Sequence, residues 1–190
     1  MYEGLNKMLW GIFLATFSIN LGPVSILPSF IGFMIISSGI NTIYVEHHYE
    51  DFKKALDFSR ITIALALFSG LIDFFTAGNY QYSIIMQVWT IVLMVVELFM
   101  FYNFFIGTIK YFDSIENLEV AERVMASSRM YLIVFISSIT FLSFVLLFNV
   151  GGLYTLLAIV FIILRISLMV IISGLKKDLI PSNPDEDQGI

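Results

Sequence analysis

Six apolar stretches, several of them close to 20 residues long, occupy most of this chain of 190 residues. A helix needs about 20 apolar residues to cross a bilayer core that is about 30 Å thick. Because six such spans leave only short connections, there is no room for a separate catalytic domain. The sequence therefore predicts an all-α, polytopic transmembrane helical bundle of six spans. The stretches cover residues 8–21, 29–45, 61–75, 83–109, 130–148 and 153–174.

The composition excludes a soluble domain and several kinds of chemistry. Hydrophobic residues make up 58% of the chain and charged residues 13%, whereas soluble domains have about 45–50% and about 25%. The absence of cysteine excludes disulfides, thiolate metal sites and cysteine nucleophiles. Glycine-rich phosphate loops, HExxH and GxSxG motifs and a basic nucleic-acid face are also missing. We therefore predict no cofactor and no nucleic-acid partner, and we favour a chain that is not an enzyme.

The chain divides into one membrane domain and a short tail. We assign residues 1–178 to a single transmembrane helical domain. Residues 179–190 end in three acidic residues within PSNPDEDQGI, a segment with too little apolar surface to offset the cost of ordering it. We predict a disordered, acidic cytoplasmic tail.

The first two stretches are short and lie close together. Gly22, Pro23 and Pro28 interrupt helical hydrogen bonding between them. We predict a hairpin of two undersized or tilted spans. The alternative is a re-entrant hairpin that never crosses the bilayer.

The basic residues fall on one side of a six-span arrangement, and Arg165 is the exception. The three connections on the other side, residues 22–28, 76–82 and 149–152, contain no lysine or arginine. By the positive-inside rule, we predict that both termini are cytoplasmic and that the chain is a multi-pass protein of the cell membrane. The basic residues on the cytoplasmic side are Lys7, Lys53, Lys54, Arg60, Lys110, Arg123, Arg129, Lys176 and Lys177.

Both longer cytoplasmic connections have the pattern of an amphipathic helix. In the second-to-third connection, Glu50 and Lys54 are spaced to pair along a helix, and the apolar residues are Val45, Tyr49, Phe52 and Leu56. In the fourth-to-fifth connection, Asp113 and Glu116 have the spacing of a capping box, and Glu119 can pair with Arg123. The apolar face there consists of Ile115, Leu118, Ala121 and Met125.

Histidine and carboxylate side chains at the end of the second span allow two functional interpretations, a weak metal site or a pH-responsive site. His47 and Asp51 are four residues apart and would face one ion from a single helix. His48 is adjacent to His47, and neighbouring residues cannot face the same way on a helix. A polar cap at the end of a span is the simpler interpretation.

Three ionisable residues lie within the predicted spans: Asp73, Glu97 and Arg165. Asp73 is close to the outer end of its span and can reach water. Glu97 and Arg165 are each about 20 Å down helices that run in the same direction. A charge at this depth costs about 2.5–3.5 kcal/mol and needs a partner, so we predict an intramembrane ion pair between them. A clamp that fixes helix register and a part of a substrate or proton pathway are both open roles for this pair.

The fourth span also carries a partly polar face. Gln87 and Thr90 are at helical spacing from Glu97, together with Met94, Phe101 and Thr108. Asn103 lies about 120° away from this stripe. We interpret Asn103 as an isolated hydrogen bond between helices.

The segment LGPVSILPSFIGFMIISSGI at residues 21–40, followed by FKKA at 52–55, resembles a group of small uncharacterised bacterial multi-pass membrane proteins. Their N-terminal hairpin reads like LLPDFIGY. Ser29 stands where an aspartate is common, and Phe33 stands where a tyrosine is common. The resemblance covers about 35 residues and implies a bacterial cytoplasmic membrane, but it implies no activity.

These observations leave three functional hypotheses. The one we favour is a non-enzymatic accessory or regulatory membrane module that presents its cytoplasmic amphipathic helices to a partner. The second is a small oligomeric transporter with a polar pathway around Glu97 and Arg165, and the third is a lipid-active enzyme. The expected partners are the lipid bilayer and either another membrane protein or further copies of the chain.

Overall fold

The computed structural model describes residues 1–16, 20–21, 24–25, 29–76, 84–148 and 153–179. These residues form six α-helices and one pair of two-residue strands, β1 and β2, which are antiparallel with Asn20 opposite Ser25. The acidic segment 180–190 and the predicted connections 76–82 and 149–152 lie wholly or largely outside the described residues. The elements are α1 (Tyr2–Thr16), β1 (Asn20–Leu21), β2 (Val24–Ser25), α2 (Ser29–His47), α3 (Glu50–Thr76), α4 (Ile84–Ser114), α5 (Leu118–Phe148) and α6 (Leu153–Asp178).

The helices form a closed ring in chain order, because each helix packs against its neighbours in sequence and α6 returns to α1. Successive helices run in opposite directions. The starts of α1, α3 and α5 therefore lie at the same end as the ends of α2, α4 and α6. At this end the Lys176 Nζ donates a hydrogen bond to Asn6 Oδ1 at 2.7 Å, and Arg123 pairs with Asp178. We call it the basic end, because every lysine and arginine except Arg165 lies in the half of its helix nearest to it.

Five of the six helices are long and apolar enough to cross a membrane. The chain is therefore a multi-pass membrane protein by helix length and composition. The helix α1 has 15 residues and a length of about 22 Å, which is less than the bilayer core of about 30 Å. The sixth span thus stays a prediction, and part of the predicted first stretch, residues 8–21, lies outside the described residues.

Glycines bring α1 and α2 into close contact along one seam. A Cβ atom on Gly39 would lie 2.6 Å from the carbonyl oxygen of Gly4, and one on Gly11 would lie 2.8 Å from the carbonyl oxygen of Gly32. Real Cβ atoms do not approach backbone this closely, so only glycine fits. The two glycines of each helix are seven residues apart, which places them on one face, and this permits the close approach that favours helix association in membranes.

The prediction of a separate amphipathic helix between the second and third spans is wrong. The break in the chain falls at His48, which has a positive φ of 56°, and α3 then runs without interruption from Glu50 to Thr76. Phe52 and Leu56 are buried in the bundle, but Val45 belongs to α2 and is 59% exposed. The predicted apolar face is divided between two helices. Because the chain changes direction at residue 48, the side chains before and after this residue do not lie on one helical face.

The predicted start of the next amphipathic helix is also wrong. The residue that caps α5 is Asn117, whose Oδ1 accepts a hydrogen bond from the Val120 amide at 3.3 Å, whereas Asp113 still belongs to α4. Arg123 pairs with Asp178 instead of Glu119. The chain turns at Glu116, which has a positive φ of 58°. The residues of α5 therefore face other directions than a helix starting at Asp113 would give them.

This shift changes which side chains of α5 face the bundle. Of the predicted apolar face, only Ala121 is buried. Ile115, Leu118 and Met125 are 50%, 59% and 45% exposed. The buried residues of this first part of α5 are instead Val120, Ala121, Val124 and Ser128.

Candidate functional site

Glu97 in α4 and Arg165 in α6 form the most deeply placed charged contact among the described residues. The Nη2 of Arg165 donates a hydrogen bond to Glu97 Oε2 at 2.6 Å, and Nη1 makes an ionic contact with Oε1. The Glu97 side chain is 1% exposed and that of Arg165 is 20% exposed. The structure thus brings together the two residues whose equal depth predicted a pair.

The pair connects two helices that are not adjacent in the ring, because α5 lies between α4 and α6 in chain order. Both residues lie near the middle of their helices. A residue at such a position is remote from both ends of the helix, where water and lipid headgroups are found. Each charge therefore depends on the other for its compensation.

Aromatic residues lie near the guanidinium group of Arg165. The Arg165 Cζ lies 5.7 Å from the centre of the Phe33 ring of α2, a distance at which a cation is attracted to the ring face. Tyr131 of α5 lines the same small cavity as Glu97 and Arg165 and packs against Phe101, Phe105 and Phe135. The site therefore draws residues from four helices.

A small cavity of about 60 Å³ lies beside the ion pair. Its polar lining comes from Glu97, Arg165 and Tyr131, and the rest of its lining is apolar or aromatic. This lining suits small polar molecules rather than a large apolar ligand. The lining residues are Met94, Glu97, Tyr131, Phe135, Phe161, Leu164 and Arg165.

The predicted polar face of the fourth span is not assembled around the pair. Thr90 is exposed, and its Oγ1 donates a hydrogen bond to the carbonyl oxygen of Met86 in its own helix at 2.9 Å. Thr108 is buried and bonds in the same way to Phe104, and Gln87 is partly exposed. Neither Gln87 nor Thr90 lines the cavity, and the Thr90 hydroxyl is satisfied within its own helix. Asn103 likewise donates to the carbonyl oxygen of Phe99 in its own helix at 2.7 Å, and not to another helix.

The structure places the predicted metal-binding or pH-responsive residues on separate elements. His47 ends α2, His48 has left-handed backbone, and Asp51 belongs to α3. The prediction that His47 and Asp51 face one ion from a single helix is therefore wrong. Within the part of the chain that the structure describes, no three histidine or acidic side chains gather in a way that would hold a metal ion.

These residues make other contacts. Asp51 accepts a hydrogen bond from the Lys110 Nζ at 2.6 Å, and the His47 ring lies 4.5 Å from the Tyr111 ring. Both contacts join the region of the chain turn at residue 48 to the end of α4. The arrangement fits the polar cap at the end of a span.

The sequence analysis did not identify Tyr131 beside the ion pair or the contact between Tyr49 and Ser114 near the chain turn. Tyr131 gave no signal because a single tyrosine within an apolar run looks like any other aromatic residue. The contact between Tyr49 Oη and Ser114 Oγ, at 2.9 Å, joins residues far apart in the chain. No spacing rule finds such a pair. Asp73 lies in α3, and its side chain is outside the described residues.

Comparison with known proteins adds no relatives: no family model, no curated protein and no solved structure matches this chain.

Proposed function

We propose that this chain is a non-enzymatic accessory or regulatory membrane module that binds a partner protein at its basic end. The observation that carries the proposal is the exposure of Ile115, Leu118 and Met125, which are 50%, 59% and 45% exposed. Leu118 and Met125 are seven residues apart on α5, so they share one face. We call these three residues the apolar corner.

Helix length supports a position for the apolar corner outside the bilayer core. The helix α5 has 31 residues, which gives a length of about 46 Å, whereas the core is about 30 Å thick. About 16 Å of α5 therefore extends beyond the core. The charged residues between 118 and 129 favour the basic end as the end that extends. Lipid tails do not cover apolar side chains there.

The charges around the apolar corner indicate the chemistry of the partner. Asp113, Glu116, Glu119 and Glu122 are exposed, and the nearby Arg123 is engaged by Asp178. An anionic lipid surface and the acidic segment 185–187 of this chain would both be repelled. An amphipathic helix with basic residues on its polar face would match both the apolar and the acidic groups.

Affinity purification from native membranes tests this function. We expect a stoichiometric partner with the wild-type chain and its loss with Leu118→Ser combined with Met125→Ser. Val45→Ser is the matched control, because Val45 is also 59% exposed near the basic end but belongs to α2. A wild-type chain that is folded yet consistently lacks a partner would overturn the proposal.

We also propose that α1 completes a sixth span, with both termini cytoplasmic in a bacterial cell membrane. The positive-inside rule and the resemblance of the N-terminal hairpin support this arrangement. Asn20 lies between α1 and α2, so Asn20→Cys should react with an impermeant maleimide on intact cells. Protection from that reagent in cells that express the folded protein would favour a re-entrant hairpin.

A small oligomeric transporter is the second candidate, and the ion pair with its adjoining cavity is what favours it. Purified protein in vesicles should then move protons or a small ion, and Glu97→Gln should reduce this flux. Flux that equals that of protein-free vesicles would remove the candidate.

A further inference from the structure

The cavity beside the ion pair contains buried polar atoms that lack hydrogen-bond partners. Glu97 Oε1 and Arg165 Nη1 contact each other, but neither has a partner in hydrogen-bond geometry. Tyr131 is 5% exposed and lines the same cavity. Buried polar groups in proteins are almost always paired with protein or with ordered water.

The size of the cavity limits what could satisfy these groups. Pockets for metabolites or drug-sized ligands have volumes of about 300–1,000 Å³, and this cavity measures about 60 Å³. A single water needs about 10–15 Å³ and two to four polar partners. The cavity therefore has room for a few water molecules but not for a metabolite.

We propose that this cavity is a binding site for a small cluster of water molecules, which bridge the Tyr131 hydroxyl to the Glu97–Arg165 pair in the interior of the membrane bundle. An apolar cavity would stay empty, but three polar side chains line this one. The bound water replaces part of the hydration that both charges lose when they enter the membrane. This inference does not depend on whether the chain is a module or a transporter.

Radiolytic hydroxyl-radical labelling of the full chain in lipid nanodiscs tests the proposal, because the radicals form from water and label the side chains next to it. Met94 lines the cavity, whereas Met100 is fully buried on the same helix and Met169 is partly buried on α6. We expect Met94 and Tyr131 to be oxidised several-fold faster than both control methionines. Equal rates at Met94, Met100 and Met169 would mean that the cavity is dry and would overturn the proposal.

Two variants identify the cavity as the source of the label. Leu164→Phe should fill the space, and Tyr131→Phe should remove a hydrogen-bonding group while it keeps the ring. In either variant, once melting shows that it is folded, we expect the oxidation rate of Met94 to fall toward that of Met100. An unchanged Met94 rate in folded Tyr131→Phe would overturn the bridging role of Tyr131, even if Leu164→Phe does not fold.

Discussion

The ion pair between Glu97 and Arg165 determines how individual substitutions act in the interior of the bundle. A buried charge without its partner still bears the desolvation cost of burial. When both residues are replaced by uncharged ones, the desolvation cost and the attraction between the charges disappear together. The two residues are also unequal, because the Glu97 side chain is 1% exposed and Arg165 is 20% exposed. Removal of the arginine therefore leaves the more deeply buried charge unpaired.

We predict that Arg165→Leu lowers the free energy of unfolding by about 3–5 kcal/mol, the usual cost of an unpaired buried charge. Glu97→Gln should cost less, because glutamine keeps an acceptor for Arg165. The double variant should cost less than the sum of the two single variants. Unfolding in mixed micelles, followed by circular dichroism, measures all three.

The exposed pair of Asp57 and Arg60 is the control for this cycle. Their side chains are 56% and 65% exposed, so Asp57→Asn should change stability by about 0–1 kcal/mol. If Arg165→Leu and Glu97→Gln are each as mild as Asp57→Asn, and the double variant is additive, then the pair does not stabilise the bundle.

At the scale of helices, α1 depends on backbone contact with α2 more than on its own length. Gly4 and Gly11 meet Gly39 and Gly32 so closely that the carbonyl oxygen of one helix lies where a methyl group of the other would be. In a membrane, where lipid tails are as apolar as the helix surface, association comes mainly from packing of this kind. This seam therefore positions the short helix.

We predict that Gly39→Ala destabilises the protein by about 1–3 kcal/mol, the usual cost of overpacking. Gly70→Ala and Gly174→Ala are the matched controls, because nothing lies within 4 Å of a Cβ atom at either position. Each control should be neutral or slightly stabilising, since alanine is the better helix former. Thermal unfolding of the three variants in the same detergent compares them, and equal melting temperatures would show that the seam is not tight.

The cap of α5 offers a second test at this scale. Because Asn117 Oδ1 accepts the Val120 amide, we predict that Asn117→Ala costs about 0.5–2 kcal/mol. Asp113→Ala should have little effect, as Asp113 lies within α4 and caps nothing. If Asp113→Ala instead lowers the melting temperature more than Asn117→Ala does, the capping box predicted at Asp113 is correct.

Sequence reasoning succeeded for helices and failed at their junctions. Apolar runs located the long helices, since length and hydropathy suffice for that, and depth counting placed Glu97 opposite Arg165. The positive φ values at His48 and Glu116 left no pattern, because neither residue is glycine. Each of these turns ends one helix and starts another in a new register. The sequence analysis, which assumed a continuous helix, therefore placed Val45, Leu118 and Met125 on the wrong faces.

On the scale of the whole molecule, the ring has an apolar outer surface and one end that gathers the basic residues. Large exposed side chains such as Phe75, at 80%, and Ile85, at 77%, lie along the outside. Contact of these apolar side chains with water is unfavourable in free energy, whereas contact with lipid tails is not. Charged contacts such as Arg123 with Asp178 lie at the basic end. The gathering of lysine and arginine at one end is the basis of our prediction that this end is cytoplasmic.

This orientation can be tested directly because the chain has no cysteine, so each introduced cysteine is the only reactive thiol. Asp113 is exposed at the basic end, and Phe148 is 57% exposed at the other end of the bundle. We predict that an impermeant maleimide labels Phe148→Cys on intact cells and labels Asp113→Cys only after the cells are permeabilised. The reverse pattern in folded protein would place the basic end outside, where the positive-inside rule does not allow it, and the proposed cytoplasmic partner at the apolar corner would then have no access.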